Sequence, residues 1–218
     1  MATRVKICGI KSADIMRAAL EAGADAVGLV FFGKSPRNVS FAEAVALAEI
    51  ARGRARIVVV LTVDADDALL DQIVREVRPG LLQLHGRETP ERCRGIKARW
   101  DVPVMKAIGV GAVGDAARAL DYVPVADRVL FDAKPSIDAA LPGGNGLAFD
   151  WAMIADVAAK VPFMLSGGLT PMNVAEAIRV TGACAVDVSS GVESAPGVKD
   201  AGLIRAFVAA AKSAHRAG

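Results

Sequence analysis

Two side chains in this sequence stand where reactive chemistry could start. Cys8 closes the apolar run Val5 to Cys8, which reads as a strand, and Gly9 ends that run. A cysteine at the last position of a strand sends its sulfur into whatever cleft lies there. Asp132 likewise follows Val129-Leu130-Phe131, and a carboxylate at a strand end is a candidate acid or base. Arg37, behind Pro36, could grip a carboxylate at two points. His85 could act as a ligand, a base or a satisfied core histidine. The other histidine, His215, falls in the C-terminal helix, so a metal cluster is not expected. Each residue also has a plain reading. A lone cysteine is most often buried for packing, a lone aspartate caps a loop, and a lone arginine is a solvated charge. The order of the surrounding elements must decide.

Short apolar runs of strand type alternate with amphipathic runs of helical type along the whole chain. The strands are expected at 4–8, 26–32, 56–63, 81–85, 104–108, 128–132, 163–166 and 184–189. The helices are expected at 12–22, 41–51, 66–77, 90–99, 113–120, 150–160, 171–180 and 200–214. Strict alternation implies parallel strands with right-handed crossovers. Eight such units imply an α/β fold of the closed (β/α)8 TIM-barrel type, one catalytic domain over 1–218. The punctuation agrees. Ser12 can cap the first helix, Ser40 with Glu43 forms a capping box, and Thr89-Pro90 and Thr170-Pro171 each set a hydroxyl before a helix-starting proline. Gly23 and Gly182 sit where helices should stop.

In such barrels the reacting groups gather at the carboxyl ends of the strands. There the sequence sets Cys8, Arg37, Gln83, His85, Asp132, Ser166-Gly167-Gly168 and Asp187 with Ser189-Ser190-Gly191. The last two Ser/Gly loops follow strands seven and eight, where this fold commonly builds a phosphate site. Glycines admit backbone N–H groups to phosphate oxygens. Ordinary turn chemistry would explain one such loop, but two at these positions favour phosphate. The stretch 133–149 is the longest loop expected, rich in glycine and proline, and reads as a cover over the site.

Composition narrows the function classes. The formal net charge is +2, from 26 basic and 24 acidic residues, so neither nucleic acid nor an anionic membrane is implied as a partner. The apolar runs are too short to span a bilayer, and the N-terminus lacks a signal-type stretch. Three widely spaced cysteines fit a reducing, cytoplasmic setting. Cys93 falls in a helix and Cys184 at the start of a strand, and both read as structural. One competing signal is Gly109-Val110-Gly111-Ala112-Val113-Gly114, a GxGxxG pattern with Asp132 near the acidic position of a dinucleotide fingerprint. It stands fifth in an eight-unit series, so it reads as a barrel loop, with a nicotinamide-dependent dehydrogenase as the rival.

Seven segments, in order, carry a resemblance. They are Lys6-Ile7-Cys8-Gly9-Ile10, Ser35-Pro36-Arg37, Gln83-Leu84-His85-Gly86, Phe131-Asp132, Gly143-Gly144-Asn145-Gly146 with Phe149-Asp150-Trp151, Ser166-Gly167-Gly168-Leu169, and Val186 through Glu193. Together they resemble the phosphoribosylanthranilate isomerases of tryptophan biosynthesis. The likeness runs from Lys6 to about Asp200. It implies a cofactor-free Amadori rearrangement of an aminoaldose phosphate into a ketose phosphate, a small phosphosugar substrate, and a monomer or homodimer. It implies Cys8 as general base and Asp132 as general acid. It also implies Arg37, with Gln83, His85 and Asp187, against the substrate, and Ser166, Gly167, Gly168, Ser189, Ser190 and Gly191 around its phosphate. Asn145 and Asp64 depart from the pattern common in relatives.

The implied roles raise a protonation problem. An ordinary aspartate is about 0.1% protonated at pH 7, and an ordinary cysteine roughly 3% thiolate. Burial at the barrel mouth is expected to raise the aspartate, and Lys6 or Arg37 to lower the cysteine. The alternatives are the related sugar-phosphate isomerase of histidine biosynthesis and a non-catalytic barrel that binds phosphometabolites. The first would carry two half-barrel repeats with paired aspartates, which this sequence lacks.

Overall fold

The computed structural model describes residues 2–54, 56–112, 114–134 and 148–214. Eight strands form the wall: β1 Arg4–Cys8, β2 Ala26–Phe31, β3 Ile57–Thr62, β4 Leu81–Leu84, β5 Val104–Val110, β6 Arg128–Ala133, β7 Phe163–Leu165 and β8 Ala185–Val188. They close in sequence order into a barrel. The closure is direct, since β8 pairs in parallel with β1, Lys6 opposite Asp187 and Ile7 opposite Val188. The expected (β/α)8 barrel is therefore the fold found.

Alternation along each strand splits the apolar residues in two. Val5, Ile7, Val27, Leu29, Val58, Val60, Leu82 and Val186 belong to the outer core, against the helices. Ala26, Val59, Met105, Ala107, Leu130, Met164 and Ala185 form a second, smaller cluster inside the barrel. Full burial of each larger aliphatic side chain contributes about 1.5–3 kcal/mol, so most stability sits in the outer layer. The inner layer is built with three alanines. A cavity of about 220 Å³ opens at the amino-terminal mouth, lined among others by Arg4, Ala26, Val59, Leu81 and Met164. It lies at the opposite end from the strand ends that carry Cys8 and Asp132.

The helices are α1 Ala13–Glu21, α2 Phe41–Arg52, α3 Asp67–Gln72, α4 Pro90–Trp100, α5 Ala155–Ala158, α6 Val174–Thr181 and α7 Ala201–Ser213. Their starts follow the sequence. Ser12 accepts from the Ile15 N–H, Ser40 and Glu43 close the capping box, and Thr89 accepts from the Arg92 N–H. Gly182 ends α6 in the left-handed region, as Asp101 does for α4.

Four helices differ from expectation. The third stops at Gln72 and runs on as a π-turn over Ile73–Val77, ended by Arg78 at φ 50°. The fifth is a 3-10 segment, Asp115–Tyr122, because Gly114 at φ 95° breaks the entry. Asp115 Oδ2 instead accepts from the Gly111 and Ala112 N–H groups at 3.0 Å each. Thus two amides of the GxGxxG stretch are tied to the chain's own carboxylate. The sixth is a 3-10 turn, Trp151–Ile154, followed by α5. Thr170-Pro171 does not start α6. Asn173 Oδ1 accepts from the Thr170 N–H, and that closed turn delays the helix to Val174. A hairpin not foreseen, β9 Glu193–Ala195 with β10 Val198–Lys199, follows β8. The loop residues 135–147, including Gly143, Gly144, Asn145 and Gly146, and His215 lie outside the described residues. Among the described residues no helix is long and apolar enough to cross a membrane.

Candidate functional site

Period two decides which side chains face the lumen. Counting two residues on from Leu130 gives Asp132, from Met164 gives Ser166, and from Ala185 gives Asp187. From Leu81, which packs on the inner cluster, the same count gives Gln83 and then His85. On β1, Val5 and Ile7 belong to the outer core, so Lys6 and Cys8 point inward. The barrel therefore brings together Cys8, Gln83, His85, Asp132, Ser166 and Asp187 on one inner surface, toward the carboxyl ends. The sequence order alone had assigned them to that end.

Cys8 is 3% exposed. Its register partner on β2 is Gly28, and a methyl there would meet the Cys8 sulfur and backbone, so the glycine makes room for the thiol. Lys6 and Asp187 form a buried ion pair at 2.8 Å directly below. Burial pushes the Cys8 thiol up; Lys6 and Lys199 pull it down but do not win. The expected lowering is thus overturned, because loss of water around the sulfur outweighs the cations. Burial likewise pulls Lys6 down, but the Asp187 carboxylate and the Cys8 sulfur more than reverse it, so Lys6 stays charged.

Asp132 is 6% exposed. Its Oδ2 lies 3.2 Å from His85 Nε2, and its Oδ1 accepts from the Ala133 N–H at 2.9 Å. Gln83 Nε2 stands 2.9 Å from His85 Nδ1. Gln83 thus contacts His85, and His85 contacts Asp132.

The two Ser/Gly loops meet. Gly167 and Gly168 turn at φ 86° and 61°, conformations that suit glycine. A methyl on Gly167 would collide with Ala133 N, and one on Gly191 with the Leu169 carbonyl. The loop after β7 is therefore packed against both β6 and the loop after β8. Ser189 Oγ donates to the Cys8 carbonyl at 3.3 Å, and Ser190–Val192 form a 3-10 turn. Of the phosphate candidates Ser166, Gly167, Gly168, Ser189, Ser190 and Gly191, Ser189 thus adjoins the end of β1, Ser166 and Gly167 lie against β6, and Gly191 lies against the loop after β7.

Arg37 is placed differently from the expectation of a cation near the thiol. Its Nε and Nη2 donate to Glu193 Oε1 and Oε2, both at 2.8 Å. Gly9 at φ 79° leaves space for the Arg37 side chain. Glu193 also receives Lys199 Nζ at 2.5 Å, and Lys199 donates to the Ser189 carbonyl at 3.0 Å. Burial raises the Glu193 carboxyl, but Arg37 and Lys199 overcome this and hold it at about 2. Burial lowers Lys199, and Glu193 restores only part.

Glu193, Lys199 and Gly28 were not singled out from sequence. The Pro196-Gly197 turn was the available signal that Glu193 and Lys199 face each other across a hairpin. Cys93 is buried in α4, its thiol raised to about 11 by burial. Cys184 is exposed just before β8, so it has no packing role.

A closed (β/α)8 barrel with a thiol, a carboxylate and their partners on one inner surface is an enzyme of the class that works at the carboxyl ends of its strands. Comparison with known proteins narrows the class. The sequence model of the N-(5'phosphoribosyl)anthranilate (PRA) isomerase family matches residues 5–210. An N-(5'-phosphoribosyl)anthranilate isomerase of Rhodopseudomonas palustris (strain BisA53) is 58% identical over 212 residues, 97% of either chain. The phosphoribosyl anthranilate isomerase structure from Thermotoga maritima superposes with a TM-score of 0.87 at 38% identity, covering 97% of this chain and 99% of the other. A further structure of such an isomerase holds reduced 1-(o-carboxyphenylamino)-1-deoxyribulose 5-phosphate. It matches with a TM-score of 0.84 at 37% identity, again covering 97% and 99%. The chain belongs to the N-(5'-phosphoribosyl)anthranilate isomerase family.

Proposed function

We propose that this chain converts N-(5'-phosphoribosyl)anthranilate to 1-(2-carboxyphenylamino)-1-deoxyribulose 5-phosphate, an Amadori step of tryptophan biosynthesis, with Cys8 as base and Asp132 as acid. The observation that carries the roles is the shared inner face of the two groups, one on β1 and one on β6. Asp132 gives a proton to the furanose ring oxygen. The bond from that oxygen to C1 breaks, and the anthranilate nitrogen supplies the electron pair that makes a protonated imine. The Cys8 thiolate then takes the proton from C2, and the C2–H electrons form an enolamine. A proton returns to C1 as the C2 hydroxyl becomes a ketone, so substrate and product are isomers and no other reagent is consumed.

The surrounding residues fit this reading. Lys6 beside Cys8 stabilises the thiolate when it forms, even though burial keeps the resting thiol protonated. The joined loops at Gly167-Gly168 and Ser190-Gly191 suit a phosphate approached by backbone N–H groups. Arg37, its plane fixed by Glu193, is the group we assign to the anthranilate carboxylate, which a guanidinium can hold at two points. Asp187 acts through Lys6 rather than on the substrate. The test is substrate fluorescence. Phosphoribosylanthranilate generated in solution should disappear rapidly with the wild-type protein. A folded protein that leaves it at the uncatalysed rate would overturn the reading.

A further inference from the structure

The inner face carries one amide that the acid–base pair does not explain. Gln83 is fully buried, yet its Oε1 has no hydrogen-bond partner among the described residues. A leucine or methionine would fill the space without that unsatisfied acceptor, so the amide is held against the interest of the fold. Its other end is engaged. Nε2 lies 2.9 Å from Nδ1 of His85. With the amide in this orientation Nε2 donates, so Nδ1 accepts and carries no proton. The neutral ring then has its proton on Nε2, which points at Asp132 Oδ2 at 3.2 Å.

The strands make this reach feasible. His85 follows β4 and Asp132 is the last residue but one of β6, with β5 between them. Gln83 pairs with Met105, Ala107 with Leu130, and Gly109 with Asp132. The inward residues of β5 at that level are Ala107 and Gly109, both small.

We propose that Gln83 is a positioning residue that acts through His85: its amide fixes the Nε2–H tautomer, and that N–H orients the Asp132 carboxyl. The inference rests on Asp132 being the acid of the isomerase reading. When Asp132 gives up its proton, the His85 and Ala133 N–H groups already face the two oxygens on which charge develops, with no reorganisation. Gln83 and His85 are thereby taken from substrate contact to control of the acid.

The sequence contains two histidines, which makes the test direct. Protein labelled with ¹⁵N-histidine, assigned with His215→Ala, should show neutral His85 as the Nε2–H tautomer at pH 8. Gln83→Leu and Gln83→Met should give mixed tautomers and melt no lower than wild type. In turnover they should lower kcat roughly tenfold or more while KM stays within about twofold. His85→Gln, which keeps an N–H near the Nε2 position, should retain more kcat than His85→Leu. An Nδ1–H tautomer in wild type, or an unchanged tautomer in Gln83→Leu, overturns the proposal. So does a rise in KM at constant kcat, which would make Gln83 a substrate contact. The resonance measurement needs no turnover, so it stands or falls separately from the isomerase reading.

Discussion

Arg37 and Glu193 face each other in a two-point ion pair, Nε to Oε1 and Nη2 to Oε2 at 2.8 Å, joining the loop after β2 to the hairpin after β8. Lys199 meets the same carboxylate from the hairpin's second strand. Glu193 thus fixes the guanidinium plane of the proposed substrate-carboxylate grip. Its carboxyl lies at about 2, against an ordinary 4.5. A depressed acid contributes stability above its unfolded value, and that stability fades as pH falls from 4.5 toward 2. The shift corresponds to roughly 3 kcal/mol at neutral pH. Urea unfolding of Glu193→Gln should show a penalty of that order at pH 7 and a clearly smaller one at pH 3. An equal penalty at both values would mean that the charge is not what stabilises.

The Cys8 thiol is the group that sets the alkaline behaviour. Burial raises it above an ordinary cysteine, and Lys6 opposes burial. Thiolate absorbance in a protein lacking Cys93 and Cys184 should therefore appear only above the ordinary cysteine range. The kcat should rise with pH across the same range. Lys6→Met removes the opposing cation, so both curves should move to higher pH. Movement to lower pH would contradict the role given to Lys6.

Lys6 and Asp187 are buried together inside the barrel. Removing one partner of such a pair leaves an uncompensated charge and typically costs about 3–5 kcal/mol. Asp187→Asn should show that loss in denaturant unfolding. The double variant Lys6→Met with Asp187→Leu should recover most of it. A mild single variant would show that water reaches the pair.

Gly28 is the register partner of Cys8, and it has no room for a side chain. Gly28→Ala should push the thiol from its place. Overpacking of this kind costs about 1–3 kcal/mol. Activity should fall further than that loss of stability explains, because the displaced atom is the proposed base. Wild-type kcat in Gly28→Ala would show that the thiol position is not critical.

Much of this architecture was legible because its signals are local. Alternating runs, the Ser40–Glu43 box and Thr89-Pro90 specify strands and helix starts without reference to distant residues. Strand ends located Cys8, His85 and Asp132 at one mouth of the barrel. One local feature escaped, the break at Gly114 with the Asp115 bonds to Gly111 and Ala112 that accompany the 3-10 form of the fifth helix. The rest depends on contacts across the barrel. The Arg37–Glu193–Lys199 cluster links loops 156 residues apart in sequence. The sign of the Cys8 shift depends on how buried the sulfur is, and sequence names the neighbouring cations without giving that burial.

The most direct measurement is turnover of phosphoribosylanthranilate by wild type, Cys8→Ala and Asp132→Asn. Calorimetric binding of reduced 1-(o-carboxyphenylamino)-1-deoxyribulose 5-phosphate should be followed in parallel. The account predicts a loss of about 10²–10⁴-fold in each variant, with the reduced compound still bound by both. Near-wild-type turnover in either variant would contradict the assignment of Cys8 as base or Asp132 as acid.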